Sequence, residues 1–200
     1  MIVIGLTGSI GSGKSTVSNI LKKKNIKIID ADEISRKIFD DKKALDDVVR
    51  YFGSEILNAD NVLDRKKLGS IVFSDKDKLE KLNSITHPII INKIKASIDK
   101  FNKQGKRIVV LDAPLLIEAN LLNLVDIVLL VTCNENIQIE RIKKRDNISK
   151  EDAILRIKSQ MSVEDKKKYA DYIIDNSYNQ HKLELDIEKF CYYVEEAHFD

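Results

Sequence analysis

The sequence predicts a doubly wound α/β fold: five parallel strands, a helical insert and a helical lid. Three observations predict it. Short apolar runs recur at residues 2–6, 26–29, 107–111, 125–131 and 172–174, with helical patterns between them. The runs at 107–111 and 125–131 are continuous and rich in Val, Ile and Leu, as strands buried on both faces are. A glycine-rich turn, Gly8-Ser9-Ile10-Gly11-Ser12-Gly13-Lys14-Ser15-Thr16, joins the first strand to the first helix.

That turn satisfies G-x-x-x-x-G-K-[ST], with an apolar strand before it and a helical stretch, 17–24, after it. Backbone amides at a helix N-terminus face inward at the positive end of the dipole, which suits a phosphate. Gly8, Gly11 and Gly13 let the backbone close around that anion, with Ser12 and Thr16 in the same loop. Lys14 reaches β- and γ-phosphates, and the Ser15 hydroxyl is a ligand for Mg²⁺.

After the second strand come Asp30 and Asp32. On an extended chain, residues two apart point the same way, so both carboxylates would emerge at the strand's C-terminal end. A carboxylate there takes a proton from an attacking hydroxyl or holds metal-bound water. Equally, Asp32 fits a helix N-cap before Glu33-Ile34-Ser35. Between the second and third strands the chain shows helices at 44–52, 65–73 and 77–101, and Pro88 is expected to start or kink the last. Such length exceeds a simple crossover and reads as a helical insert, 40–101, over a second substrate. His87, alone before Pro88, reads by itself as a packed or capping group.

The third strand ends in Asp112, placed like a carboxylate that orients Mg²⁺ through water, and Pro114 forces a turn. Helices at 134–146 and 150–159, joined by Asn147-Ile148-Ser149, form a hairpin read as a mobile lid over 134–160. Ser149 with Asp152 loosely fits a capping box. Arg141 and Arg145, four apart on one helix face, would neutralise a transferring phosphoryl group or stand solvated.

Composition narrows the class. The 200 residues suit one domain, and 43% hydrophobic residues supply a core. With 34 basic and 32 acidic side chains the net charge is +2, too balanced for a nucleic-acid binder. The runs Lys22-Lys23-Lys24 and Lys166-Lys167-Lys168 read as solvated helix faces. Cys133 and Cys191 lack disulfide or zinc spacing and are expected as reduced thiols. No signal peptide and no membrane-length apolar stretch is read, so a soluble cytoplasmic protein is expected, monomeric with oligomers left open.

Together these stretches resemble the dephospho-CoA kinase family. The resemblance is carried by G-L-T-G-S-I-G-S-G-K-S-T (5–16), I-I-D-A-D (28–32), F-G (52–53), L-D-R-K-K-L (63–68), V-F (72–73), H-P (87–88), D-A-P-L-L-I-E (112–118), R-I-K-K-R (141–145), R-I-K-S-Q (156–160) and A-D-Y-I-I-D-N (170–176). It implies a P-loop kinase fold, ATP and Mg²⁺ as cofactors, and phosphorylation of the ribose 3′-hydroxyl of dephospho-CoA. It also implies roles. Asp32 is the general base, and Gly11 to Thr16 hold the ATP phosphates. Arg65, His87 and the segment with Leu115, Leu116 and Glu118 line the acceptor site. Arg141 and Arg145 are lid arginines, and Asn176 falls near the adenine. Two positions depart from the family pattern, Ser9 and Asn61, where glycine is usual. A kinase for another small acceptor, such as a nucleoside monophosphate, fits the insert and hairpin too. A GTPase switch would want an N-K-x-D motif, which the sequence lacks.

Overall fold

A computed structural model describes residues 1–199. Strands β1 (Ile2–Gly8), β2 (Lys27–Asp30), β3 (Ile108–Asp112), β4 (Ile127–Thr132) and β5 (Tyr172–Asp175) form one parallel sheet in the order β2-β3-β1-β4-β5. Every expected strand is present, with ends shifted by one or two residues. All the β3 and β4 side chains except that of Ile108 are buried, as continuous Val/Ile/Leu runs require when helices cover both faces. The edge strands β2 and β5 have only four residues each.

The described helices are α1 (Lys14–Lys23), α2 (Ala31–Arg36), α3 (Lys42–Phe52), α4 (Arg65–Phe73), α5 (Lys76–Lys103), α6 (Glu135–Asp146), α7 (Lys150–Lys158), α8 (Val163–Lys167) and α9 (Gln180–Phe199). The chain divides into two compact units, residues 1–30 with 98–200, and residues 31–97.

In the sheet unit, Leu6, Val110, Leu129 and Ile174 pack with Val17 and Leu21 of α1 and with Ile187 and Phe190 of α9. Lys22 and Lys23 close the last turn of α1, where cations suit the dipole. A smaller cluster joins α6 to α7 through Ile139, Ile142 and Ala153. Asn134 caps α6 by accepting from the Asn136 amide. Asn147 ends that helix at φ 52°, left-handed as the turn requires. At α7, Ser149 Oγ accepts from the Asp152 amide and donates to the Asp152 carboxylate. The reciprocal bond of a capping box is thus replaced by a side-chain pair.

In the helical unit, Val48, Phe52, Ile56, Leu63, Leu68 and Val72 make a separate core. Asp41 and Asp64 cap α3 and α4. Asn61 stands at φ 58°, so the usual glycine's turn survives.

Three expectations need correction. First, of the two alternatives at Pro88 the structure removes one: α5 runs unbroken through it, so no helix starts there. A single missing amide is tolerable in a helix of 28 residues whose other turns stay bonded. Second, α2 begins at Ala31, so Asp32 lies in its first turn rather than at the N-cap. The strand ends at Asp30, and the two carboxylates do not share one extended face. Third, Lys166 is fully buried, and only its neighbours Lys167 and Lys168 are exposed.

Candidate active site

The site in the sheet unit is built where chain order reverses about β1, between β3 and β4, the place where open α/β sheets bind ligands. Beyond β1 the loop turns into α1 without any side-chain cap at Gly13 and with no acidic residue in the first turn. The first amides of α1 therefore have no intrahelical acceptor and suit an anion. Gly13 stands at φ 91°, and a Cβ there would meet Asn176 Nδ2 at 1.9 Å. Only glycine fits both the backbone conformation and the contact. Ser9 is absent from the residues with positive φ, so serine adds no backbone strain.

Side chains from distant elements hold the outer face of the loop. Gln160 Oε1 accepts the Ile10 amide at 2.8 Å, and Gln138 Nε2 donates to the Ile10 carbonyl at 2.5 Å. Arg141 donates to the carbonyls of Gly11 at 3.5 Å, Ser12 at 3.2 Å and Asn176 at 3.0 Å. Asn176 Nδ2 donates to the Ser12 carbonyl at 2.9 Å. The Ser12 amide is itself taken by the Ser9 carbonyl at 3.0 Å, so the amides at the start of α1 are the donors best suited to an anion.

Lys14 is ion-paired with Asp112, and both are largely buried. Asp112 lies at the C-terminal end of β3, in register with Leu6 on one side and Asp30 on the other. The cavity has a volume of about 620 Å³ and is lined by the loop with Pro114, Arg141, Arg145, Asn176 and Tyr178. The buried Ser12 Oγ is left without a hydrogen-bond partner among the described residues.

Arg145 is occupied by Asp146, through Nε at 2.7 Å and Nη2 at 2.9 Å. That guanidinium holds the Asp146 carboxyl below its usual range, while the hydrogen bond raises Arg145 further. Arg156 also donates to Asp146, so one carboxylate ties α6 to α7. Cys133 donates to the Gly11 carbonyl, and burial pushes its thiol pKa up.

After β3 the turn through Pro114 is locked from beneath. Thr7 Oγ1 and Lys166 Nζ both donate to the Pro114 carbonyl, at 3.0 and 3.2 Å. The Lys166 ammonium also meets both oxygens of Glu118, at 2.7 and 3.0 Å. Leu116 is fully buried, and a Cβ on Gly5 would stand 2.6 Å from it, whereas Leu115 is exposed.

The remaining candidates belong to the helical unit. Asp32 and His87 are exposed. Arg65 donates to the Arg36 carbonyl and lies 6.0 Å from the Phe39 ring. Sequence reasoning gave no role to three side chains that the structure places against the site: the two glutamines on Ile10 and the buried Lys166. For Lys166 the available signal was faint. Val163 and Lys166 are three apart, so they share a helix face in a short helix capped by Ser162.

Comparison with known proteins agrees with this construction. The family model for dephospho-CoA kinase matches residues 2–182. The dephospho-CoA kinase of Oceanobacillus iheyensis is 47% identical over 188 residues, 92% of this chain and 94% of the relative. That of Listeria monocytogenes is 43% identical, covering 94% of each. The solved dephospho-CoA kinase from Campylobacter jejuni superposes with a TM-score of 0.75 at 32% identity, over 98% of each chain. Shikimate kinase from Acinetobacter baumannii, at 16% identity and a TM-score of 0.55, shares the fold. The loop, the paired Lys14 and Asp112, and a family match along most of the sequence lead to one conclusion: this chain belongs to the dephospho-CoA kinase family.

Proposed function

We propose how the family's reaction runs on these residues. The reaction is the ATP-dependent phosphorylation of dephospho-CoA in coenzyme A biosynthesis. We assign the accepting group as the ribose 3′-hydroxyl. The observation that carries the reading is the glycine loop with Lys14 held by Asp112 at its open side. Phosphoryl transfer asks little covalent chemistry of the protein, so positioning and charge dominate.

The loop from Gly11 to Thr16 takes the phosphates of ATP, with the Ser12 and Thr16 amides serving the loop's own Ser9 and Gly13 carbonyls, and Gly8 leaves room behind it. Lys14 exchanges Asp112 for the β- and γ-phosphates. Arg141, fixed against the loop, adds positive charge beside them, and Arg145 joins it from the hairpin. Asn176 and Tyr178 line the same cavity, which suits the adenosine end. Asp32 orients the ribose hydroxyl and takes its proton as the bond to phosphorus forms. Arg65, His87 and the turn bearing Leu115, Leu116 and Glu118 hold the rest of dephospho-CoA. The α6–α7 hairpin excludes water, which would otherwise hydrolyse ATP.

The donor set also fits Mg²⁺. An oxygen-only pair, the exposed Ser15 hydroxyl and the Asp112 carboxylate, is the hard-ligand chemistry that this ion prefers. When bound, the ion would neutralise the β- and γ-oxygens. No described helix is long and apolar enough to cross a membrane. We place the protein in the cytoplasm, as a monomer with oligomers left open, an environment in which Cys133 and Cys191 stay reduced.

The test is ADP release measured with and without dephospho-CoA, with the product's phosphate located by NMR. Strong stimulation and a 3′-phosphate are expected. Equal turnover with nucleoside monophosphates would replace the acceptor, and ATP hydrolysis indifferent to any acceptor would defeat the kinase reading.

A further inference from the structure

Both polar groups at Ile10 are taken by glutamines of one hairpin, one on its first helix and one just past its second. Gln138 sits on α6, is 4% exposed, and donates to the carbonyl. Gln160 follows α7 by two residues and accepts the amide. The side chain of Ile10 packs into the hairpin's own apolar cluster with Ile139, Ile142 and Ala153. A loop residue therefore completes the core of the hairpin, and the hairpin in turn completes the hydrogen bonding of the loop. Neither can shift far without breaking a partly buried bond of the other, and leaving an amide or carbonyl there unpaired is costly.

We propose that Gln138 and Gln160 are positioning residues that clamp Ile10, making the shape of the phosphate loop depend on the placement of the α6–α7 hairpin. The inference rests on the reading that this loop holds ATP. The hairpin is then not a flap hinged away from a rigid site. Its placement and the aim of the loop amides are one equilibrium, so ATP binding orders the hairpin and hairpin contacts sharpen ATP binding. The amide of Ile10 is spent on Gln160, leaving the amides further along the loop for phosphate.

The experiment compares Gln138→Met, Gln160→Met and the double variant with the unaltered chain. Methionine keeps the length of the side chain and removes its hydrogen bonding. ATP·Mg²⁺ affinity is measured by calorimetry without acceptor, KM for each substrate by steady-state assay, and amide exchange of 135–158 with and without ATP. Each single variant is expected to weaken ATP about tenfold, the scale of one unmade buried bond. KM for dephospho-CoA should hold, and the double variant should fall well short of a hundredfold because both glutamines act through Ile10. ATP should slow exchange in the hairpin of the unaltered chain and do so much less in Gln160→Met.

Unchanged ATP affinity in Gln160→Met would overturn the clamp, as would equal losses for both substrates with a lowered melting temperature. Gln138→Met risks misfolding because of its burial, so the half-exposed Gln160 decides alone if it does. Failure of the unaltered chain to bind ATP would instead sink the assigned role of the loop.

Discussion

The sheet unit and the helical unit are built in different ways. Around the phosphate loop, bonds join residues more than 100 positions apart: Gln160 to Ile10, Arg141 to Ser12, Asn176 to Ser12. In the helical unit most side-chain bonds are local. Asp64 serves the amides of Lys66 and Lys67, Asn58 those of Asp60 and Val62, and Ser70, Ser74 and Ser84 bond back within their own helices. Lys93 to Asp41 and Arg65 to Arg36 are longer links. A donor site assembled from remote segments has one geometry and fails as a whole. The helical unit pairs local caps with one shared core, of Val48, Phe52, Leu68 and Val72 among others.

The sharpest test of that contrast is Lys14→Ala. It should cut kcat about 10³-fold, near 4 kcal/mol of transition-state stabilisation, with helical circular dichroism retained. Turnover near normal would remove the loop from the reaction. Lys166→Met comes next. It strands the Glu118 carboxylate, which is partly exposed, at a cost of about 3 kcal/mol. The melting temperature should fall by about 6–12 °C, and pairing the change with Glu118→Leu should recover most of it. A melting point unmoved by Lys166→Met would mean that the turn after β3 is held by other contacts.

In the helical unit, Asp32→Asn should lower kcat about 10²-fold and leave both KM values and the fold close to normal. It should also abolish the acidic limb of the pH–rate profile, and a retained limb would assign the base elsewhere. Asp64→Ala should cost about 1 kcal/mol by uncapping α4, raising KM for dephospho-CoA while KM for ATP holds. A matched rise in both constants would mean that the α4 cap does not act on the acceptor alone.

The smallest effect concerns pH. Burial is the main cause raising the pKa of both Cys133 and Cys191. The folded chain keeps thiol protons that the unfolded chain releases, so stability is full below the ordinary thiol value of about 8.5 and falls as pH rises past it. Urea midpoints at neutral and alkaline pH would show the decline, and Cys→Ala at both positions should flatten it.

Much of this was legible in the chain itself. The strand runs, the loop and the hairpin carry local signals: apolar periodicity, glycine spacing, and Asn or Ser at helix ends. The pairing of Lys14 with Asp112 was legible only in part, because each residue had a motif but their contact crosses 98 positions. Gln160 closes the stretch R-I-K-S-Q but carried no hint of its partner, and Gln138 had no local signal at all. A glutamine on a helix reads as solvent-facing, and only the fold shows that Gln138 is buried. Lys166 misled for the same reason, since a lysine among lysines gives no hint of a carboxylate waiting 48 positions earlier. Asp32 shows the opposite error. Its surroundings looked like a strand end, but Asp30 had already closed the strand.

The brevity of the two edge strands bears on how this protein behaves at high concentration. An open strand edge is a template on which a second copy can stack and start a fibre. Here β2 and β5 offer four residues apiece, Lys27 stands exposed at the outset of one, and Asp171 and Asp175 bracket the other. Charge at the ends of so short a ledge disfavours further growth of the sheet, without the need for a closed barrel.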